Sequence, residues 1–146
     1  MRRYDRRWID DVNGDMVRMI DDMGIFRTSV RIAPWTDPRA GVMLHDVMVD
    51  TVSEYNWFPR PLLQQLGIAP QRWVRFETAD GRILEREIGY AIIAAGGSES
   101  PTIVVFGDPG DMTLLGAFGL EGLNVRIDVV TKELVPAGPV PVAAAA

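Results

Sequence analysis

The sequence predicts one mostly β domain with one or two short helices, preceded by an amphipathic helix. Three observations lead to this fold class. Short β-type runs separated by turn residues recur between residues 26 and 135. An Asp-Gly pair joins two of these runs, which is typical of a tight hairpin. A helical segment with prolines in its first turn interrupts the strands and ends at Gly67.

The bulk composition fits a single folded domain and disfavours several functions. The 146 residues are 47% hydrophobic and 24% charged, which is typical of a globular protein. A formal charge of −5 repels a nucleic-acid backbone, so we expect no nucleic-acid partner. The chain has no cysteine and one histidine, which leaves no thiolate or histidine cluster for a metal. We therefore expect neither a metal nor another cofactor.

The two ends of the chain are predicted to lie outside the domain. In residues 8–23 the apolar side chains recur every three or four positions, which indicates a short amphipathic helix. We interpret residues 1–23 as a helical extension, 24–136 as the domain, and the Pro- and Ala-rich residues 137–146 as a flexible tail. No apolar run approaches the about 20 residues of a membrane span, and the basic start leads into acidic residues. We expect a cytoplasmic protein without a membrane span.

Local signals predict the elements of the domain in order. Strands are predicted at residues 26–32, 42–49, 73–78, 82–88, 90–95, 102–106, 125–130 and 134–135, the last two forming a closing hairpin. A helix follows Pro59, with leucines on its buried face and Gly67 as its stop. The Ala79-Asp80-Gly81 turn makes a projecting hairpin, and residues 96–101 form a loop. A second short helix is expected around residues 118–123.

An aspartate at the end of a strand is the main candidate for chemistry. The apolar run Val47-Met48-Val49 leads directly into Asp50, and the hydroxyl residues Thr51 and Ser53 follow. Taken alone, this pattern is typical of a residue that caps a turn. The pattern becomes more specific because three further features follow it along the chain in a fixed order. They are the helix after Pro59, the Asp80-Gly81 hairpin, and Leu114-Leu115-Gly116 before a short helix.

Over residues 24–136 this arrangement resembles the retropepsin-like aspartic proteases, most closely their bacterial single-domain branch. In that family a loop reading Asp-Thr-Gly-Ala/Ser carries the catalytic aspartate, a hairpin forms a flap, and an apolar-apolar-Gly strand passes the catalytic loop. Val105-Phe106-Gly107 and Leu134-Val135-Pro136 add to the resemblance. It implies a closed β-barrel of the acid-protease fold and a homodimer in which each chain supplies half of the site.

The same resemblance implies a role for each residue of the loop and the flap. Asp50 would be catalytic, Thr51 would send its hydroxyl to the partner loop and brace the pair of aspartates, and Ser53 would hydrogen-bond locally near the carboxylate. Two Asp50 carboxylates would share one proton and activate a water that hydrolyses a peptide bond. Val52 and the Ala79-Asp80-Gly81 turn would contact an extended peptide or protein substrate.

The chain departs from the family at Val52, where the motif has glycine. The valine side chain is expected to crowd the cleft floor. If the turn needs a positive φ there, valine also costs about 1–3 kcal/mol of strain or shifts the loop and displaces Asp50. Two functions are therefore weighed, an active endopeptidase and a catalytically impaired dimer that binds peptide or a protein partner without cleavage. A third is a small β-barrel adaptor whose resemblance is accidental. His45 is expected to be structural, because a two-carboxylate mechanism uses no histidine.

Overall fold

The chain is mostly β in the computed structural model, which describes residues 26–143. The strands are β1 (Phe26–Pro34), β2 (Val42–Val49), β3 (Asn56–Pro59), β4 (Arg72–Glu77), β5 (Ile83–Ala95), β6 (Ser98–Gly107), β7 (Leu114–Leu115), β8 (Val125–Asp128) and β9 (Glu133–Pro136). The helices are α1 (Arg60–Gln65) and α2 (Ala117–Leu123). The mostly β class with two short helices is therefore confirmed, whereas the predicted extension at residues 1–23 lies outside the described residues.

Seven strands form one mixed sheet in the order β1-β2-β7-β3-β6-β5-β4, and β1 also pairs with β5. The pairs β2–β7 and β3–β6 are parallel, while the other pairs in this sheet are antiparallel. Strands β8 and β9 make a separate two-stranded sheet, as the predicted closing hairpin requires. The β2–β7 pair brings the end of β2 beside Leu115, although the two segments are far apart in the sequence.

One apolar core holds these strands together. Strand β5 buries alternate residues over its last part, whereas β1, β2 and β6 end in runs of three or four consecutive buried residues, which indicates that these ends are covered on both faces. The largest side chains with less than 2% exposure are Phe58, Phe106, Ile32, Leu63, Ile88, Ile93, Leu115, Leu123, Val30, Val47 and Val104. Each such side chain contributes about 1.5–3 kcal/mol by leaving water.

Two predicted elements are confirmed by their local geometry. The Asp80-Gly81 hairpin joins β4 to β5, with Gly81 at a φ of 90° that favours glycine. Helix α1 begins after Pro59 and buries Leu63, and Gly67, with a φ of 75°, follows the C-terminal cap residue Leu66. Strand β3 was not predicted. It has only four residues, between a loop and a helix, which is too short to show an alternating pattern.

The prediction of two strands on either side of Gly89 was wrong. Strand β5 runs without a break from Ile83 to Ala95. A Cβ at position 89 would lie 2.8 Å from the carbonyl oxygen of Ala69, so this glycine allows a close approach of two backbones. The glycine therefore reflects packing against a neighbouring segment and does not end the strand.

The predicted loop at residues 96–101 was also wrong in extent. Only Gly96 and Gly97 connect β5 to β6, with φ values of 62° and 81° that suit a tight two-residue turn. Pro101 lies inside β6 opposite Ile92, ahead of the part of β6 that pairs with β3. Proline is tolerated at this position because β3 pairs with β6 only from Val104 onward, so β6 has a strand on one side alone at residue 101.

Candidate functional site around Asp50

Asp50 is the first residue after β2, and β7 fixes its backbone. Val49 lies beside Leu115 in the parallel pair, and the N–H of Asp50 donates to the carbonyl oxygen of Leu115 at 3.0 Å. Residues 50–55, which we call the aspartate loop, then turn away from the sheet and lead into β3. A backbone hydrogen bond at the exact point where the strand ends restricts how far the carboxylate can move.

Both oxygens of the Asp50 carboxylate accept a hydrogen bond inside this loop. Oδ1 accepts from the N–H of Val52 and Oδ2 from the hydroxyl of Ser53, each at 3.0 Å. An ionised carboxylate has about four acceptor positions, so each oxygen keeps capacity for a water or a second carboxyl group. Asp50 is half-buried and Thr51 is exposed. The loop therefore presents an oriented carboxylate that solvent and another molecule can reach.

The carbonyl groups of the aspartate loop cap the N-terminus of α2. The N–H groups of Ala117 and Phe118 donate to the carbonyl oxygens of Ser53 and Glu54 at 2.8 and 2.9 Å. These bonds satisfy donors that a helix start leaves without an intrahelical partner. A Cβ at Gly116 would collide with the carbonyl oxygens of residues 53–55, so only glycine fits between this loop and β7. The apolar-apolar-Gly pattern thus has a direct steric cause.

Asn56 ties the aspartate loop to β6 and was missed in the sequence. Its side chain is fully buried. Its Oδ1 accepts from the N–H of Gly116 at 2.9 Å, and its Nδ2 donates to the Thr102 hydroxyl at 3.1 Å and the Ile103 carbonyl at 2.9 Å. The available signal was a lone amide next to the apolar pair Trp57-Phe58, because a buried amide needs several partners at once.

Val52 does not carry the backbone strain that a positive φ would impose. Among the described residues, the non-glycine residues with positive φ are Asp46, Asn124 and Lys132, so the turn does not hold Val52 in that region. Its side chain is 90% exposed in the single chain. The expected backbone strain at Val52 is therefore absent, and its methyl groups project outward beside the carboxylate.

The tip of the β4–β5 hairpin is held by local hydrogen bonds. The Asp80 carboxylate accepts from the Thr78 hydroxyl and from Nε of Arg82, the latter at 3.2 Å. The bond from Thr78, aided by Arg82, lowers the pKa of Asp80. Ala79 and Gly81 are exposed beside it. The tip thus forms a compact turn with an ionised side chain on its surface.

Aromatic rings connect this hairpin to the aspartate loop. The ring centroid of Phe76 in β4 lies 5.2 Å from that of Tyr55 and 4.9 Å from that of Trp57. Tyr55 also lies 5.3 Å from Phe118 of α2. The two predicted functional segments are therefore neighbours, joined by rings rather than by their polar groups. Phe58 is fully buried in the core, while Trp57 is half-buried.

His45 lies away from this site. Its Nδ1 is 2.8 Å from the hydroxyl oxygen of Ser29 on the neighbouring strand, and both are exposed. The structural interpretation of His45 as a hydrogen-bonded surface residue is confirmed. Two surface cavities of about 460 and 550 Å³ are lined by other residues, and none from the aspartate loop contributes to either.

Three further findings bear on function. Within residues 26–143, no three His, Asp or Glu side chains are grouped to hold a metal ion. No helix of the same residues is long and apolar enough to cross a membrane. In comparisons with known proteins, no family model and no curated sequence matches the chain.

Proposed function

We propose that the chain is one subunit of a homodimeric, retropepsin-like aspartic endopeptidase. The observation that carries the proposal is the Asp50 carboxylate, oriented by Val52 and Ser53 on a loop whose backbone is bonded to Leu115. A hairpin suited to act as a flap contacts the same loop through Phe76. This is the combination of carboxylate, supporting hydroxyl and nearby cover that acid-base hydrolysis of a peptide needs.

The strand pairing supports the closed β-barrel of that fold. The sheet order runs from β1 through β2, β7, β3 and β6 to β5, and β5 pairs with β1. These six strands therefore make a complete circuit of pairings, while β4 pairs only with the outer part of β5. The outer part of β5 and β4 extend from the circuit as a hairpin, which suits a flap.

A second copy of the chain is needed to complete the site. The Asp-Thr pair occurs once in the 146 residues, so one chain supplies one such carboxylate. A two-fold axis would bring two Asp50 side chains together and would bring each Thr51 to the partner loop. At such a distance both carboxylates cannot ionise, and the pair holds one proton.

Hydrolysis then follows from the shared proton. The ionised Asp50 takes a proton from a bound water as the water oxygen bonds to the scissile carbonyl carbon, and the protonated Asp50 of the partner subunit donates to the carbonyl oxygen. The proton taken from water next moves to the amide nitrogen. As the C–N bond breaks, a hydroxyl of the tetrahedral intermediate returns its proton to the partner's carboxylate and the carbonyl re-forms. Ser53 keeps the carboxylate oriented throughout, and the hairpin tip at residues 79–81 covers the peptide.

A second candidate function is a dimer that binds peptide or a protein partner without cleaving it. The observation that favours it is Val52, whose exposed methyl groups stand beside Asp50 where the family has glycine. In a dimer these groups would lie near the second loop or the peptide. Either contact would alter the distance between the carboxylates, while the fold and the binding surface would remain.

Peptide-library hydrolysis at acidic to neutral pH tests the proposal. The parent chain is compared with Asp50→Asn and Val52→Gly, and sedimentation at micromolar concentration reports the dimer. We expect hydrolysis to rise in Val52→Gly and to disappear when Asp50→Asn is added. A monomer would remove the arrangement that makes a dyad. A dimeric Val52→Gly chain that binds peptide without cleaving it would favour the second function.

A further inference from the structure

Arg86 makes the most buried ion pair recorded within residues 26–143. It lies in β5, on the part of the strand that belongs to the hairpin, and binds Asp111 with two parallel hydrogen bonds. Nε contacts Oδ2 at 2.7 Å and Nη2 contacts Oδ1 at 3.0 Å. Both side chains are only 13–14% exposed. Two-point pairing of a guanidinium with a carboxylate fixes orientation as well as distance.

Asp111 transmits this contact to the strand that holds Asp50. Its Oδ2 also accepts from the N–H of Asp108 at 2.7 Å, and its own N–H donates to the Asp108 carbonyl at 2.9 Å. This closed turn leads directly into β7. The carbonyl oxygens of Thr113 and Leu115 accept from the N–H groups of Met48 and Asp50, at 3.3 and 3.0 Å. A short, hydrogen-bonded path therefore runs from the hairpin to the aspartate loop.

A second arm joins the same turn to helix α1. Arg60, the first residue of α1, pairs with Glu87 of β5 at 2.7 Å. Asp108 lies 3.5 Å from both Arg60 and Arg86, so it connects the two arms. Three segments distant in sequence thus meet at the root of the hairpin. We call these five side chains, Arg60, Arg86, Glu87, Asp108 and Asp111, the root cluster.

We propose that Arg86 is a positioning residue that couples the hairpin to the Asp50 carboxylate through Asp111 and β7. The inference rests on the proposed function, since it assumes that the hairpin covers a peptide at Asp50. Closure of a flap requires its root to stay at a fixed distance from the reacting group. Arg86 supplies that fixed distance, because its guanidinium contacts the turn that continues into the strand bonded to Asp50.

The same hairpin has a second Arg-carboxylate ion pair that does not contact the turn before β7. Arg75 and Glu85 form one contact of 3.7 Å, and their side chains are 71% and 65% exposed. Such surface pairs contribute little, because water and salt screen them. The root cluster differs by burial, by two-point geometry and by its link to β7. Hydrogen bonding from Asp111 raises the pKa of Arg86, so this contact favours the charged guanidinium.

Hydrogen exchange of the 146-residue chain tests the coupling without relying on hydrolysis. Arg86→Lys keeps the charge but loses the two-point geometry. We expect amide exchange to rise about tenfold in the hairpin, residues 72–88, and also at the N–H groups of Met48 and Asp50. Arg75→Lys is the control and should change neither region by more than about twofold. Asp111→Asn, which keeps the side-chain size, should reproduce the effect of Arg86→Lys.

Kinetics on a cleaved peptide supply the second measurement. If Arg86 positions Asp50, Arg86→Lys should lower kcat as well as raise KM, whereas a hairpin that is merely looser should raise KM alone. Faster exchange confined to the hairpin, with Asp50 protected as in the parent, would overturn the proposal. If the parent and Val52→Gly both lack hydrolysis, the proposed function fails, but the exchange at Met48 and Asp50 still decides whether the coupling exists.

Discussion

Replacement of Asn56 by alanine should be among the most destabilising single changes near the site. The fully buried amide makes three hydrogen bonds that join the aspartate loop, β6 and the start of α2. Alanine leaves the Gly116 N–H and the Ile103 carbonyl without these partners. Each buried, unpaired group costs about 1–3 kcal/mol, which gives about 2–6 kcal/mol in total. Since a domain is stable by about 5–15 kcal/mol, the variant can remain folded but should be clearly weakened.

The comparison variant is Thr102→Val, which removes one of the three bonds and leaves the amide in place. Thr102 is half-buried, so we expect a loss of about 1 kcal/mol. Urea unfolding at one fixed protein concentration measures both, because the stability of a chain that self-associates depends on its concentration. A lower midpoint with an unchanged slope is expected. An Asn56→Ala chain as stable as Thr102→Val would refute the role assigned to the amide.

Four further predictions follow from the geometry. Gly116→Ala should destabilise the fold strongly or prevent it, since a Cβ there would lie within 2.9 Å of the backbone carbonyl oxygens of Ser53, Glu54 and Tyr55, and circular dichroism with thermal melting checks this. Phe76→Ala should cost about 2–3 kcal/mol and speed hairpin exchange, whereas Trp73→Ala, 62% exposed on the same strand, should stay within about 0.5 kcal/mol. Burial would raise the pKa of Asp111, but hydrogen bonds from Arg86 and the backbone outweigh it and lower the pKa. The ionised side chain therefore stabilises the fold above about pH 4, and this contribution is lost as the pH falls further. Between pH 7 and pH 3, the Asp111→Asn variant should lose less stability than the parent does. Deletion of residues 1–22 should leave a cooperative thermal transition, because the described residues form their own core.

Local signals in the sequence were sufficient for much of the fold. Strand β2 has the predicted bounds, and the Asp80-Gly81 hairpin and helix α1 occur where turn and cap residues indicate them. Such signals depend on neighbours a few residues away, so they can be seen without knowing the fold. Strand β3 has no such signal. Its four residues become a strand by pairing with β6 and β7, which are distant in sequence.

The same distinction applies to the site. Asp50 stands out because an apolar strand ends at it and hydroxyl residues follow. Asn56 and Arg86 do not, because their partners lie 47 and 25 residues away at Ile103 and Asp111. A polar residue gains such a role only when the sheet brings its partners together. Residues that orient a reactive group are therefore harder to predict than the reactive group itself.

Val52 illustrates how the structure decides a question that the sequence left open. If the turn held Val52 at a positive φ, the substitution Val52→Gly would relieve strain and stabilise the folded chain. No such φ is present, and the side chain is 90% exposed, so there is no strain to relieve and little packing to lose. Val52→Gly should then lower stability by about 0.5–1 kcal/mol through the greater freedom of the unfolded chain, and Val52→Ala should change it less. Any gain in hydrolysis by Val52→Gly would then come from the space that its exposed side chain occupies beside Asp50 and not from relief of strain. A variant that unfolds at a higher urea concentration than the parent would show that the turn is strained in solution, and would return the obstacle to the backbone of a single chain.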